Sequence, residues 1–175
     1  MSVTIKKTID SIVEDYRCNT FVKSRFVIAF FRIANYLTCR SRLSLLLGAP
    51  VIALYILICE WLMGIEIPVK TRIGKGLTIY HGVGLVINGF AVIGDYCVLR
   101  HGVTIGNIMR EDGSYTGAPI IGSRVEFGAN SVALGEIEIG NGARIGAGAV
   151  LLSDLAAHAV AVGIPARAVE KDRAQ

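Results

Sequence analysis

The chain has 175 residues, of which 53% are hydrophobic and 18% charged, and its formal net charge is +4 at pH 7. This length fits one compact domain with an appendage, and the apolar composition excludes an intrinsically disordered protein. The four cysteines are widely spaced, which favours reduced thiols over a disulfide framework or a zinc site. The N-terminus lacks the apolar core of a signal peptide, so we expect a cytoplasmic protein.

Residues 1–65 are predicted to form an α-helical region, because apolar residues such as Phe26, Phe30 and Ile33 recur at intervals of three and four. Gly48-Ala49-Pro50 predicts a break, with Pro50 in the first turn of a new helix. Residues 43–59 contain no charged residue and lie at the short limit for spanning a bilayer. Three interpretations stay open for this segment: a spanning helix, an interfacial helix, and a helix packed against neighbouring chains.

Positive charge is concentrated in the same region. The segment from Arg17 to Arg42, both included, contains six basic residues and no acidic one. Such a run forms either a solvated helix face or a surface that attracts an anionic partner, such as a membrane or a phosphorylated carrier.

Residues 66–165 repeat with a period of six. One unbroken series holds Ile121, Phe127, Ala133, Ile139, Ile145 and Leu151. This period predicts a parallel β-helix in which every sixth side chain points inward and three short strands make one coil. The phase slips by two residues between Leu85 and Ile87, and residues 107–119 form a polar loop that leaves the repeat. Residues 166–175 are predicted to form a C-terminal tail.

Three motifs narrow the kind of β-helix: IEIPVKTRIGKGLTIYHGVGLVI, VTIGN and VGIPARAV. Together they resemble the serine acetyltransferase family, and most closely its relatives that O-acetylate bacterial exopolysaccharides and capsules, the colanic-acid acetyltransferase type. The resemblance implies a mainly β fold, a left-handed parallel β-helix with an N-terminal α-helical region. It also implies a homotrimer with sites between adjacent chains. The helical region would join two trimers, or its apolar segment would contact a membrane.

The resemblance further implies transfer of an acetyl group from acetyl-CoA to a hydroxyl, without a metal. A hydroxyl needs a base to accept its proton as it attacks, and an imidazole suits this role. The family's base corresponds to His81, and the carboxylate that orients it corresponds to Glu66, where serine acetyltransferases have aspartate.

Differences from the serine enzymes favour a sugar acceptor. Tyr80 stands where those enzymes have an acidic residue that contacts the substrate amine, and Asn19 stands near the place of another family carboxylate. A second family histidine, expected just before Pro119, is missing. His101 lies about one coil beyond His81, either beside the acceptor or in a turn outside the site. We therefore expect a polysaccharide or its lipid-linked repeat unit as acceptor, at the inner face of the membrane.

Recognition of CoA is expected to involve mainly backbone groups and small residues, with an arginine at a phosphate. By resemblance these residues are Gly106, Asn107, Ala129, Ala147, Gly163, Ala166 and Arg167.

Three alternatives remain. The first is a serine O-acetyltransferase of cysteine biosynthesis. The second is a zinc-dependent gamma-type carbonic anhydrase, which needs three converging histidines, whereas His158 lies beyond the last full coil. The third is a non-catalytic scaffold. Nucleic acid is not expected as a partner.

Overall fold

Helices precede the strands in the computed structural model, which describes residues 4–169. Their bounds are Ile5–Cys18 for α1, Val22–Arg40 for α2, Arg42–Tyr55 for α3, and Ile56–Leu62 for a π-helical segment that continues α3. Thr4 caps α1 by accepting a hydrogen bond from the amide nitrogen of Lys7. Ser41 separates α2 from α3 and caps α3 through reciprocal hydrogen bonds with Ser44.

The helix break predicted at Gly48-Ala49-Pro50 is wrong, since α3 continues through these residues. Gly48 instead serves the packing of α3 on α2. A methyl group added at Gly48 would lie 2.9 Å from the side chain of Leu37. The two helices therefore approach closely at a residue without a side chain, and the chain reverses at Ser41.

Fifteen short strands follow within the described residues. Their bounds are β1 Ile65–Glu66, β2 Arg72–Ile73, β3 Thr78–Tyr80, β4 Leu85–Ile87, β5 Val92–Ile93, β6 Val98–Arg100, β7 Thr104–Gly106, β8 Ile120–Ile121, β9 Glu126–Phe127, β10 Val132–Leu134, β11 Glu138–Ile139, β12 Arg144–Ile145, β13 Val150–Leu151, β14 Val160–Gly163 and β15 Ala166–Val169. They form three sheets, in the orders β1-β4-β7-β10-β13, β11-β8-β5-β2 and β15-β14-β12-β9-β6-β3. Strands β1 to β12 make four coils of three strands each. A fifth coil consists of β13, a bridge between Leu155 and Ile139, and β14, against which β15 folds back antiparallel. The predicted hexapeptide β-helix with N-terminal helices is confirmed.

The six-residue series forms the core of the β-helix. Its members from 121 to 151 are each at most 2% exposed. Parallel pairing places each of these side chains over its equivalent one coil earlier, as in Ile93↔Ile121 and Ala133↔Leu151. The stacked coils thereby bury one continuous apolar column.

The predicted phase slip falls in the turn between β3 and β4. Thr78 pairs with Val98, twenty positions later, whereas Val86 pairs with Thr104, eighteen positions later. The two extra residues of the first coil therefore lie in the turn that begins with His81.

The polar loop 107–119 leaves the β-helix between β7 and β8. Met109 and Tyr115 form an isolated antiparallel bridge in it, so the loop folds back on itself. Its position is the corner at which the chain passes from the first sheet to the second.

Polar side chains of the helices cover the open edge of the first coil. The buried Tyr55 hydroxyl donates a hydrogen bond of 2.8 Å to the carbonyl of Ile67. The guanidinium of Arg32 donates to the carbonyls of Ile73 and Gly74. These groups take the place of a further strand, so the edge carbonyls are not left unpaired.

A buried ion pair anchors the same helices to β3. The Nε of Arg32 lies 2.8 Å from Oδ2 of Asp15, and Oδ1 of Asp15 accepts a hydrogen bond of 2.9 Å from the Leu77 amide. Burial raises the pKa of Asp15, and the Arg32 guanidinium opposes this shift.

The domain boundaries differ slightly from those predicted. The first strand begins at Ile65, one residue inside the region 1–65 predicted as helical. The segment 166–175 predicted as a tail begins as β15, which pairs antiparallel with β14. Residues 170–175 lie outside the described residues.

The outward side of α3 and the π-helical segment is apolar, while Gly48, Ile52, Tyr55 and Cys59 face the protein. We define the apolar face as the exposed side chains of Leu43, Leu45, Leu46, Leu47, Val51, Leu54, Leu57, Trp61 and Leu62. By length and composition, Arg42–Leu62 could cross a membrane, although one side of this segment packs on the protein.

Candidate active site

His81 lies at the corner where the chain passes from the third sheet to the first. Its φ of +58° is left-handed, as at four other non-glycine turn residues. Gly82 is buried beneath it, and a methyl group there would lie 2.8 Å from the side chain of Ile79. The glycine lets the turn approach the core, while the His81 side chain stays exposed.

The ring of Phe21 contacts both the imidazole of His81 and the ring of Tyr80. The ring of Phe21, in the connection between α1 and α2, has its centroid 5.0 Å from that of His81. The same ring meets Tyr80 edge-on at 6.3 Å. The sequence prediction missed Phe21, since no motif marks it and only the docking of the helices brings it to His81.

Asn19 lies near this group but supports the fold. It is 1% exposed, and its side-chain amide donates to the carbonyls of Asp15 and Leu77. Its Oδ1 accepts a hydrogen bond of 3.0 Å from the Ile79 amide. Both of its donors are thus occupied by main-chain groups, which corrects the expectation of contact with an acceptor.

Glu66 lies on β1, beside the strand that follows the His81 turn. Gly84 of that turn donates a hydrogen bond of 2.7 Å to the carbonyl of Gly64. Glu66 is exposed, and no hydrogen bond or ion pair joins it to His81 within residues 4–169. A second carboxylate, Glu60 of the π-helical segment, lies close to Glu66. Burial is the larger cause that raises the pKa of Glu60, and the negative charge of Glu66 raises it further. No motif in the sequence marks Glu60.

Equivalent corner positions stack along the β-helix axis. The registers Thr78↔Val98, Val98↔Glu126, Glu126↔Arg144 and Arg144↔Val160 relate the five coils. Three residues beyond each of these positions lies the corner column, defined as His81, His101, Ala129, Ala147 and Gly163.

The corner column contains residues with different predicted roles. His81 is the predicted base, whereas Ala129, Ala147 and Gly163 are predicted to contact CoA. His101 lies one coil along from the His81 turn, and its neighbour Gly102 donates a hydrogen bond of 3.0 Å to the carbonyl of Val83 in that turn. Beyond His101 the column contains only the small residues Ala129, Ala147 and Gly163. Small side chains let an extended ligand approach the backbone closely along this column.

Gly106 and Asn107 lie elsewhere in the chain. Gly106 ends β7, at the opposite end of the first sheet's strands from the corner column. Asn107 begins the loop 107–119 at that corner. Within one chain, therefore, these two residues do not meet His81.

The remaining predicted CoA residues lie in the β14–β15 hairpin. Gly163, with φ +95°, pairs with Ala166, and Val162 pairs with Arg167. Arg167 is exposed and donates to the carbonyl of Ala166 at 3.1 Å. The arginine thus follows the last member of the corner column.

Arg100 is a further residue beside the site that no sequence motif marks. It pairs with Tyr80 in the register of β3 and β6. Its guanidinium carbon lies 5.1 Å from the centroid of the Tyr80 ring. Its only sequence signal is its place just before His101, twenty positions after Tyr80.

The three histidines do not converge within the chain. His158 lies at the corner between the second and third sheets, where a methyl group on Gly142 would meet its ring. Among residues 4–169, no group of three or more His, Cys, Asp or Glu side chains is arranged to hold a metal ion.

Comparison of the sequence with known proteins finds acetyltransferases. Residues 118–153 match the family described as bacterial transferase hexapeptide (six repeats). The chain is 38% identical over 160 residues to WcaB of Escherichia coli (strain K12), which is named as a colanic acid biosynthesis acetyltransferase; the match covers 89% of this chain and 97% of WcaB. It is 43% identical over 116 residues to a serine acetyltransferase of Helicobacter pylori (strain J99), covering 66% of this chain and 67% of that protein.

Solved structures with the same fold include serine acetyltransferases. The enzyme from Vibrio cholerae O1 biovar El Tor N16961 matches with a TM-score of 0.79 at 26% identity, over 97% of this chain and 68% of that one. The soybean apoenzyme matches with a TM-score of 0.75 at 31% identity, over 94% of this chain and 69% of that one.

Proposed function

We propose a function from this premise: the chain belongs to the hexapeptide-repeat acetyltransferases that include WcaB and the serine acetyltransferases. We infer that it transfers the acetyl group of acetyl-CoA to a sugar hydroxyl of a bacterial exopolysaccharide or capsule, or of the lipid-linked repeat unit. The observation that carries this proposal is the exposed His81, whose imidazole contacts the ring of Phe21, which in turn meets the ring of Tyr80.

His81 is proposed as the general base. Its imidazole takes the proton of the acceptor hydroxyl while the hydroxyl oxygen bonds to the carbonyl carbon of the thioester. The imidazolium then returns this proton to the sulfur of CoA as the carbon–sulfur bond breaks. Exposure of His81 at the corner supports this role, because both substrates can reach it.

Glu66 is proposed to orient the imidazole and stabilise its protonated form. Support comes from the pairing of β1 with β4, which places Glu66 one strand from the turn that holds His81. Its exposed side chain can turn toward the imidazole when the acceptor is bound.

Acetyl-CoA is proposed to lie along the corner column. His101, Ala129 and Ala147 would line the pantetheine arm, and Gly163, Ala166 and Arg167 of the hairpin would meet the nucleotide end. We propose a homotrimer, because Gly106, Asn107 and loop 107–119 lie across the first sheet from His81. In a trimer these residues would reach the corner column of a neighbouring chain.

A sugar acceptor is favoured by the groups beside His81. Aromatic rings stack on the apolar faces of sugars, and Phe21 and Tyr80 supply two rings. The position before His81, acidic in serine acetyltransferases, holds Tyr80. The match to WcaB, which spans 97% of that protein, favours the same class of acceptor.

Serine is the second candidate acceptor. It is supported by the 43% identity to the Helicobacter pylori serine acetyltransferase and by the solved structures of the same fold. In that case the enzyme would supply O-acetylserine for cysteine synthesis.

The enzyme is proposed to act in the cytoplasm at the inner surface of the membrane. The exposed Arg40 and Arg42 precede the apolar face, and its last turn contains Trp61, which is 78% exposed. Arginines are attracted to anionic lipids, and tryptophan favours the membrane–water interface. A lipid-linked acceptor would be presented at this surface.

An assay with two acceptors distinguishes a sugar O-acetyltransferase from a serine acetyltransferase. The purified enzyme is incubated with acetyl-CoA and either serine or de-O-acetylated oligosaccharides from the host's surface polysaccharide. We expect CoA release and a mass increase of the oligosaccharide, with little turnover of serine. Rapid turnover of serine alone would refute the sugar acceptor. Mass spectrometry of the polysaccharide with and without the gene gives the same answer in the cell.

A further inference from the structure

On the outward surface of the third sheet, an arginine lies over the ring of Tyr80, next to the proposed base. Arg100 lies on β6 directly next to Tyr80 of β3, with its guanidinium carbon 5.1 Å from the ring centroid. Tyr80 in turn precedes His81 and meets Phe21 edge-on. The three side chains of Arg100, Tyr80 and Phe21 form one surface next to the imidazole, which we call the stacked subsite.

The charge of Arg100 has no carboxylate partner among the described residues. The ion pairs within residues 4–169 are Arg17–Glu14, Arg32–Asp15 and a long Arg144–Glu126 contact of 3.8 Å. The side chain of Arg100 is exposed. Its edge N–H groups are therefore available to a ligand.

We infer that the stacked subsite binds a carboxylate of the acceptor, so that the enzyme prefers an acidic sugar. This inference rests on the proposed function and specifies the class of its substrate. A guanidinium that stacks on a ring keeps its planar edge of N–H donors, and that edge matches a carboxylate in a bidentate contact. The aromatic ring also holds the arginine in place, which reduces the entropy lost on binding.

The position of Arg100 limits where the carboxylate lies. Adjacent strands are roughly 4.8 Å apart, so Arg100 is about one strand spacing from Tyr80 and the start of the His81 turn. A pyranose ring spans a similar distance. The acidic group therefore belongs to the acetylated sugar or to the sugar next to it.

The test uses two matched acceptor pools. One is a de-O-acetylated oligosaccharide pool from the host's surface polysaccharide, and the other is the same pool with its carboxyl groups reduced to alcohols. Hydrogen bonds to charged groups correspond to roughly a 10-fold to 100-fold preference. We expect kcat/KM to be higher by about that factor for the acidic pool, and we expect Arg100→Gln to reduce the preference to near one.

Two further variants separate charge from geometry. Arg100→Lys keeps the charge but not the planar fork, so we expect it to retain only part of the preference. Arg144→Gln removes an exposed arginine from the same sheet, two strands further along, and we expect the preference to stay at the wild-type value. Circular dichroism and the Tm check that the variants fold.

Several outcomes would overturn the subsite. One is equal kcat/KM of the wild type for both pools. Another is a loss of kcat/KM in Arg100→Gln that is equal for both pools. A third is a raised KM for acetyl-CoA in Arg100→Gln, which would assign the arginine to a CoA phosphate. Equilibrium dialysis measures acceptor binding without turnover when each pool is dialysed against His81→Ala, with Arg100 either intact or replaced by glutamine. Acidic-pool binding that depends on Arg100, with no acetylation by the wild type, would refute the proposed function and keep the subsite.

Discussion

Replacing Asn19 with alanine should weaken the attachment of the helices to the β-helix. The substitution removes two hydrogen bonds to the main chain. The Asn19 side chain donates one to the carbonyl of Leu77 and accepts the other from the amide of Ile79. Each buried main-chain group left without a partner costs about 1–3 kcal/mol. The carbonyl of Asp15 keeps its bond from the Asn19 backbone amide, so two groups are orphaned. We expect the free energy of unfolding to fall by about 3 kcal/mol.

The assay is thermal unfolding at fixed protein concentration, followed by circular dichroism. For a chain of this size, a loss of 3 kcal/mol corresponds to a fall in Tm of about 6–12 °C. Asn141→Ala is the matched control, because exposed Asn141 accepts one hydrogen bond, from Ser123, in a surface turn. We expect it to change Tm by less than about 3 °C. An unchanged Tm in Asn19→Ala, together with a raised KM for the acceptor, would refute this reasoning and place Asn19 in the acceptor site.

Three other outcomes are expected. His81→Ala should lower kcat by about 1,000-fold in a CoA-release assay, while His158→Ala, in the last coil, should retain wild-type turnover; unchanged acetyl transfer in His81→Ala would reject the mechanism. Gly48→Val should lower the free energy of unfolding in urea by about 1–3 kcal/mol because α2 leaves no room, whereas Val at the neighbouring, exposed Ala49 should have a smaller effect. Trp61 is the single tryptophan, so its fluorescence should move to shorter wavelength with phosphatidylglycerol vesicles and less so at high salt; unchanged emission would contradict membrane contact.

The β-helix could be predicted because one local rule is repeated along it. Each sixth residue, from Ile121 to Leu151, faces the same buried environment, so periodicity alone identifies the core. The phase slip also has a local cause, since two extra residues must enlarge one turn. That turn contains His81, and for this reason its place at a corner was predictable.

The residues around His81 could not be predicted in the same way. Phe21 reaches the imidazole from a helix connection sixty positions earlier, and Arg100 reaches Tyr80 through strand register. Both contacts depend on how distant segments dock, which short-range spacing does not encode. The continuation of α3 through Gly48 has the same origin, because packing against α2 outweighs the tendency of glycine and proline to end a helix.

The way in which the first coil is closed also bears on self-association. A parallel β-helix with bare terminal strands can add another molecule end to end, as an amyloid protofilament does. Here hydrogen bonds from Tyr55, Arg32 and Asn19 already occupy main-chain groups along the three terminal segments. The helices therefore act as a cap against polymerisation. Loss of their docking would expose a templating edge, so variants that loosen this cap should form fibrils at concentrations where the intact protein stays dispersed.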